Sequence, residues 1–514
     1  MQARVLRRQG EDGQDQVHVD AGLRLLLVLC LVVAAAALGS FIFAPADHVA
    51  DTPLSEDGYY ALSVSRNLAE GHGLSVDGTT RTNGFQPAFT IVSAIAFIGH
   101  PPVEMSLRIV LALHWLLFLG TGLILGQIAR DFYGRDSRRG SIALWLAPVL
   151  FTTGLFTIQP GFNGLETGAL FFAYALAWRH AQTSGLATQR SILVHGALVG
   201  LVVLVRIDAV FFVGVYAAFV WWRAGLRRAA MLACTAAFVS SPWWIYNYSV
   251  FGSVFPSSAK AQQEWLVNGA RLRVGFQSLV EAMVPWMSSR RLDILLPPAR
   301  LVILAIGAVL IGRALRKRRQ LESRSTWDFA TALVLTYLVL GAWYVLSSWA
   351  VHFYPRYLAP VLLPSVVALT VIAIEYFRKF IALASVSVTV LAVAGIFGRF
   401  PTNLDRSNLM LHDQLTLVRD VVPADQMVGA GQSGTLGFFR SDVLNLDGKV
   451  NAEAIKARDA MARYVSENGV NWLCDWDPSM ERIVSDDVTG WHRVEWRGDF
   501  VCWTRNQIPS KPTP

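Results

Sequence analysis

The feature that most limits how this chain can fold is a succession of long apolar segments broken by short basic clusters. The first covers about residues 21–44, and a run of roughly 20 apolar residues spans about 30 Å of hydrocarbon. It exceeds the apolar region of a typical signal peptide and lacks a convincing small-residue cleavage site before Pro45, so it reads as a retained helix. Composition agrees: 53% of the 514 residues are hydrophobic and 16% charged, whereas soluble domains carry about a quarter charged residues. The fold class expected is a polytopic α-helical membrane protein.

The net charge of +8 does not point to nucleic acid, because Lys and Arg never build one basic face. They cluster at 130–139, 179–190, 223–228, 313–319 and 378–379, which positive-inside reasoning places in the cytoplasm. Between the clusters, further spans are expected near 103–129, 141–159, 165–179, 191–205, 208–222, 229–247, 297–312, 328–350, 356–376 and 380–397. With the first helix this makes about eleven, an odd number that puts a cytoplasmic N-terminus and an outer C-terminus on opposite sides. The stretch 88–100 is too short to span and reads as re-entrant or interfacial.

Residues 1–20 read as a disordered cytoplasmic tail and 21–397 as the membrane domain, with outward loops at 45–102 and 248–296. Residues 398–514 alternate helical patterns with short β-rich runs near 427–428, 443–446, 471–473 and 500–503, which predicts a small extracytoplasmic α/β domain. Cys30 and Cys234 lie in apolar runs and read as small hydrophobes. Cys474 and Cys502 sit in polar, strand-like sequence on the oxidising side and are candidates for a disulfide.

Candidate chemistry gathers at the outer ends of the spans. Adjacent carboxylates Glu56 and Asp57 can act as a general base or as ligands to a divalent cation such as Mg or Mn, or can cap a helix. Glu166 and the Arg206-Ile207-Asp208 turn place charge at membrane depth, where it faces a polar cavity or pairs internally. Lys260, His352 and Arg356 offer donors suited to a lipid-linked phosphate, or to phospholipid headgroups. Gly429-Ala430-Gly431-Gln432-Ser433-Gly434 has the form of a dinucleotide fingerprint, yet Asp442 and Asp447 come too early for the ribose acid, so a tight strand-to-helix turn is the better reading. No Walker loop, H-E-x-x-H or G-x-S-x-G is present, which leaves ATPase, zinc-protease and serine-hydrolase chemistry without support.

Glu56-Asp57-Gly58-Tyr59-Tyr60, Arg66-Asn67-Leu68-Ala69, Gly71-His72-Gly73 and Thr82-Asn83-Gly84-Phe85-Gln86-Pro87 together resemble the first outer loop of bacterial GT-C glycosyltransferases. These are relatives of protein mannosyltransferases and mycobacterial arabinofuranosyltransferases. Asn163-Gly164-Leu165-Glu166, Arg206-Ile207-Asp208, Arg356-Tyr357-Leu358-Ala359-Pro360 and Asn445-Leu446-Asp447-Gly448 extend the likeness over most of the chain. The resemblance implies a GT-C-like membrane domain and transfer of a sugar from a polyprenyl-phosphate donor to a glycan, lipid or protein acceptor, outside a bacterial plasma membrane. It further implies Asp57 as base, Glu56 as its orienter or a metal ligand, and Arg206, Lys260, His352 and Arg356 around the phosphate, with Glu166, Asn83 and Gln86 in the substrate site. Five tail tryptophans, Trp472, Trp476, Trp491, Trp496 and Trp503, are either sugar-stacking surfaces or the core of a small domain. A transporter or flippase of lipid-linked sugars is the alternative, although it needs neither the long polar first loop nor the external domain.

Overall fold

The computed structural model describes residues 2–45, 49–184, 186–266, 268–286, 324–399, 410–486, 490–497 and 500–505. Among these, seven helices are long and apolar enough to cross a membrane, and an eighth span results if Arg138–Thr152 and Leu155–Phe162, bent by 64°, count as one. The expectation of about eleven is higher for identifiable reasons. The expected span 297–312 lies outside the described residues. Thr167–Ser184 and Gln189–Val205 are helices, but the first carries Arg179, His180 and Gln182 in its last turns and the second is short. Pro87–Phe97 is a short apolar helix, as its length requires.

The first helix covers Gln2–Gly39, so the segment expected to be a disordered tail continues the helix of the first span. A nucleated helix propagates through Gln, Arg and Glu at little cost.

Local signals set the helix ends. Ser137 accepts from Gly140 N at 2.9 Å and Thr188 from Ser191 N at 3.1 Å, each capping the helix that follows. Small residues set the packing: a Cβ at Gly196 or Gly200 would lie 2.8 Å from the carbonyl oxygen of Leu232 or Ala236. This Gly196–Gly200 pair lets two helix backbones meet, the means by which helices associate where lipid removes the hydrophobic drive. The basic clusters are tied to one end of the bundle by ion pairs, Arg179 with Asp131 at 2.7 Å, Arg139 with Glu375 at 3.0 Å and Arg223 with Asp328 at 3.3 Å, and by Arg378 with Asp20.

At the opposite end sits a five-stranded sheet of order β2-β1-β3-β5-β4, with β1 at Val428–Ala430, β2 at Val443–Asn445, β3 at Trp472–Trp476, β4 at His492–Arg497 and β5 at Phe500–Thr504. β1 runs parallel to β2 and β3, while β5 is antiparallel to β3 and β4. Cys474 and Cys502 stand opposite each other on β3 and β5 and form a buried disulfide. Trp472 and Trp491 are buried in the two clusters flanking the sheet and Trp503 packs against one of them, so these three are core. The side chains of Trp476 and Trp496 lie outside the described residues.

Candidate active site

The site is built from the loop that follows the first span. Ser55 caps the helix Glu56–Ala69, accepting from Gly58 N at 3.3 Å, and donates through its hydroxyl to Asn163 O at 2.9 Å. Gly58 is a glycine because a Cβ there would lie 2.4 Å from the same Asn163 oxygen. The Glu56–Tyr60 and Asn163–Glu166 motifs therefore interlock.

Glu56 and Asp57 then part company. Adjacent helical residues point about 100° apart, and Glu56 reaches into the C-terminal domain. Its carboxylate accepts from the backbone N–H groups of Gly434 and Thr435, the latter at 3.0 Å, and from Thr435 Oγ1 at 2.6 Å. Burial raises its pKa, with the Thr435 and Gly434 hydrogen bonds opposing. The other donors of the same loop are filled too: Gly431 N and Gln432 N donate to Asp475 of β3 at 2.6 and 3.0 Å, and Ser433 N donates to Tyr60 Oη of the first loop at 3.0 Å. The glycine-rich turn that mimics a nucleotide fingerprint is a docking socket for the first loop.

Asp57 faces a cavity of about 500 Å³. Lys449 Nζ lies 3.3 Å from one carboxylate oxygen and Arg356 3.7 Å from the other. Burial pushes the Asp57 carboxyl up, but Lys449, then Arg356, outweigh it and hold the pKa below the usual value. Lys449 also meets Asp447 at 3.4 Å. Burial opposes its charge, yet Asp57, Asp447 and Glu56 together keep its pKa above that of an ordinary lysine.

The other expected residues distribute unevenly. Arg206 lines the cavity, with Asp208 at 3.0 Å and Glu166 at 3.5 Å, and Tyr344 donates to Asp208 at 2.7 Å. Its charge is thus consumed by two carboxylates that also line the cavity. Gln86 lines it too, accepting from Ile207 N at 3.0 Å. Asn83 does not; its Oδ1 accepts from Ser257 N at 3.0 Å and fixes the second loop. His352 acts on Asp57 electrostatically without lining the cavity. Lys260 lies on the short helix Ser257–Ala261, with its side chain outside the described residues.

Lys449 is the residue that sequence reading missed. Its backbone carbonyl accepts from Ser257 Oγ at 2.9 Å and lies where a Cβ on Gly84 would come within 1.9 Å. The preceding Gly448 has φ +82, and a Cβ there would meet Ile455 at 2.4 Å. An Asp-Gly turn followed by Lys, at the end of the Asn445–Gly448 motif, was the available signal.

A divalent cation does not fit this donor set. Both Glu56 oxygens are engaged by the C-terminal domain, and Asp57 is flanked by two cations that repel a metal ion. Among the described residues no group of three or more His, Cys, Asp or Glu could hold one.

The backbone resembles that of ArnT from Cupriavidus metallidurans bound to undecaprenyl phosphate, with a TM-score of 0.58 over 95% of this chain and 99% of that one, at 12% identity. It resembles the oligosaccharyltransferase of Archaeoglobus fulgidus in complex with Zn and sulfate at 0.52, covering 92% and 72% of the two chains at 15% identity. The chain has the GT-C fold. Archaeal AglB from Archaeoglobus fulgidus, in complex with an inhibitory peptide and a dolichol-phosphate, scores 0.51 over 94% of this chain and 75% of its own, at 12% identity. No protein-family model and no curated protein matches the chain in sequence. The first loop, which carries the resemblance in sequence, bonds the C-terminal domain through Tyr60 and Arg66 and lines the cavity through Asp57, Tyr60 and Ala61.

Proposed function

We propose that the chain is an inverting glycosyltransferase that moves a sugar from a polyprenyl-phosphate donor to a cell-envelope glycan, lipid or protein acceptor, on the outer face of a bacterial plasma membrane. The observation that carries this reading is the convergence of one carboxylate, Asp57, and two cations, Arg356 and Lys449, on one cavity. A single displacement needs a base for the acceptor hydroxyl and positive charge for the departing phosphate. Asp57 is the base, and its low pKa keeps it ionised at neutral pH. Arg356 and Lys449 receive the phosphate. The carboxylates of Glu166 and Asp208, held by Arg206, offer acceptors to sugar hydroxyls, and Phe85, Phe211, Trp244 and Trp343 provide faces for sugar and isoprene.

The undecaprenyl phosphate of ArnT and the dolichol-phosphate of AglB support a lipid-phosphate donor. The basic clusters at the far end of the bundle support a cytoplasmic N-terminus and an outward-facing site. The Cys474–Cys502 disulfide suits that oxidising side.

The test incubates the purified chain with polyprenyl-phosphate pentose and hexose donors in separate reactions, each with a cell-envelope extract as acceptor. Release of free polyprenyl phosphate from one donor is expected. Donors left intact in every reaction would overturn the reading in favour of transport. Gly84→Ala tests the placement of Lys449: the added Cβ pushes the Lys449 backbone away, and turnover is expected to fall at least about tenfold while the melting temperature of the membrane domain holds. Unchanged turnover would show that the position of Lys449 does not matter.

A further inference from the structure

The Asp57 base does not stand free. Lys449 and Arg356 lie 3.3 and 3.7 Å from its two oxygens, and all three line the cavity that would receive the donor. A carboxylate and a phosphate must therefore compete for the same two cations. Docking of the C-terminal domain does not need this ion pair. Glu56 grips Gly434 and Thr435, Tyr60 Oη donates to Gly431 O at 3.1 Å, and Arg66 donates to Phe438 O at 2.8 Å, none of them through Lys449.

We propose that Lys449, carried in by the C-terminal domain, is shared between the base and the donor phosphate, so that lipid-phosphate binding releases Asp57 and the recharging of Asp57 expels the product. The proposal rests on the glycosyl-transfer reading. Its chemistry balances. The acceptor oxygen bonds to the anomeric carbon, and the acceptor proton passes to Asp57. The bond from the anomeric carbon to the phosphate oxygen breaks, its electron pair staying on that oxygen. The donor phosphodiester carries a single negative charge, and the departing phosphomonoester gains a second. As Asp57 becomes neutral, the charge it loses appears on the phosphate, with Lys449 and Arg356 between the two positions. The cations keep a full counter-charge throughout, so the charge moves without leaving either one uncompensated in a water-poor site. When Asp57 gives its proton to water, its carboxylate draws Lys449 back and weakens the hold on the phosphomonoester.

Lys449 is well placed for this exchange. Ser257 Oγ and the close approach of Gly84 fix its backbone, while Asp447 Oδ1 accepts from its backbone N–H at 2.8 Å. Only the flexible side chain needs to move between carboxylate and phosphate.

The experiment measures binding of undecaprenyl phosphate to the full chain in detergent, for the wild type, Asp57→Asn, Lys449→Met, Lys449→Arg and the Asp57→Asn/Lys449→Met double variant. Removing the competing charge with Asp57→Asn is expected to tighten binding about tenfold. Lys449→Met is expected to weaken it about tenfold, Lys449→Arg to hold it near wild type, and the gain from Asp57→Asn to shrink in the double variant. Unchanged or weaker binding in Asp57→Asn, or an undiminished gain in the double variant, would overturn the sharing of Lys449 and leave Asp57 as base. A wild type that fails to bind undecaprenyl phosphate would overturn the lipid-phosphate reading and the inference with it.

Discussion

Asp57→Asn is expected to lower turnover by about a hundred- to ten-thousand-fold, the range that removal of a general base produces. Asparagine keeps the size and hydrogen-bonding reach of aspartate but cannot take up a proton, and Lys449 and Arg356 remain for the phosphate. The Michaelis constant for the lipid donor should not rise, because the lost group competes with that donor for its cations. Glu56→Gln separates the roles of the two neighbouring carboxylates. Glu56 contacts the Gly434–Thr435 backbone and does not line the cavity, so its substitution should lower the melting temperature more than the chemical step. Initial-rate kinetics on both variants, with thermal melting alongside, check this pair of outcomes. Near-wild-type turnover in Asp57→Asn would remove Asp57 from the chemistry.

The membrane domain was legible in the sequence wherever a helix must match the bilayer alone. The runs ending at Asp131, Phe251 and Tyr376 are long enough to cross by themselves. Length fails as a guide for Gln189–Val205, a short helix that lies against Leu226–Phe251 through Gly196 and Gly200. The first-loop motif was legible as a pattern, and the structure supplies reasons for its letters. Gly58 and Gly84 are sites of backbone approach, Asn83 holds the second loop, and Gln86 holds the Ile207 amide. Adjacency of Glu56 and Asp57 in sequence suggests shared work, whereas a helix turns neighbours apart and Glu56 bonds Gly434 and Thr435 instead. Lys449 escaped for a different reason, since its Asp-Gly turn marks a tight bend without naming a partner. It meets Asp57 across 392 residues of chain, and nothing local to either residue encodes that meeting.

Lys449→Met follows as the second large effect, expected to lower kcat/KM by about a hundredfold or more, the typical result of removing one preorganised group that stabilises developing negative charge. The pH profile distinguishes this loss from a merely structural one. In the free protein burial pushes the Asp57 carboxyl up, and Lys449 followed by Arg356 pulls it down past its ordinary value. Taking Lys449 away leaves burial opposed chiefly by Arg356, so the pKa must rise. The acid limb of kcat/KM reports the base of the free enzyme and should move to higher pH in Lys449→Met. The stability linkage has the same sign. A carboxyl with a depressed pKa stabilises the fold above its unfolded value of about 3.9, and that contribution fades as pH falls through the folded pKa. Losing the depression should therefore make the variant unfold at a higher pH on acidification. Lys449→Arg retains the charge and should restore the acid limb even where the longer fork fits poorly. A Lys449→Met profile superimposable on that of the wild type would mean that Arg356 alone governs the base.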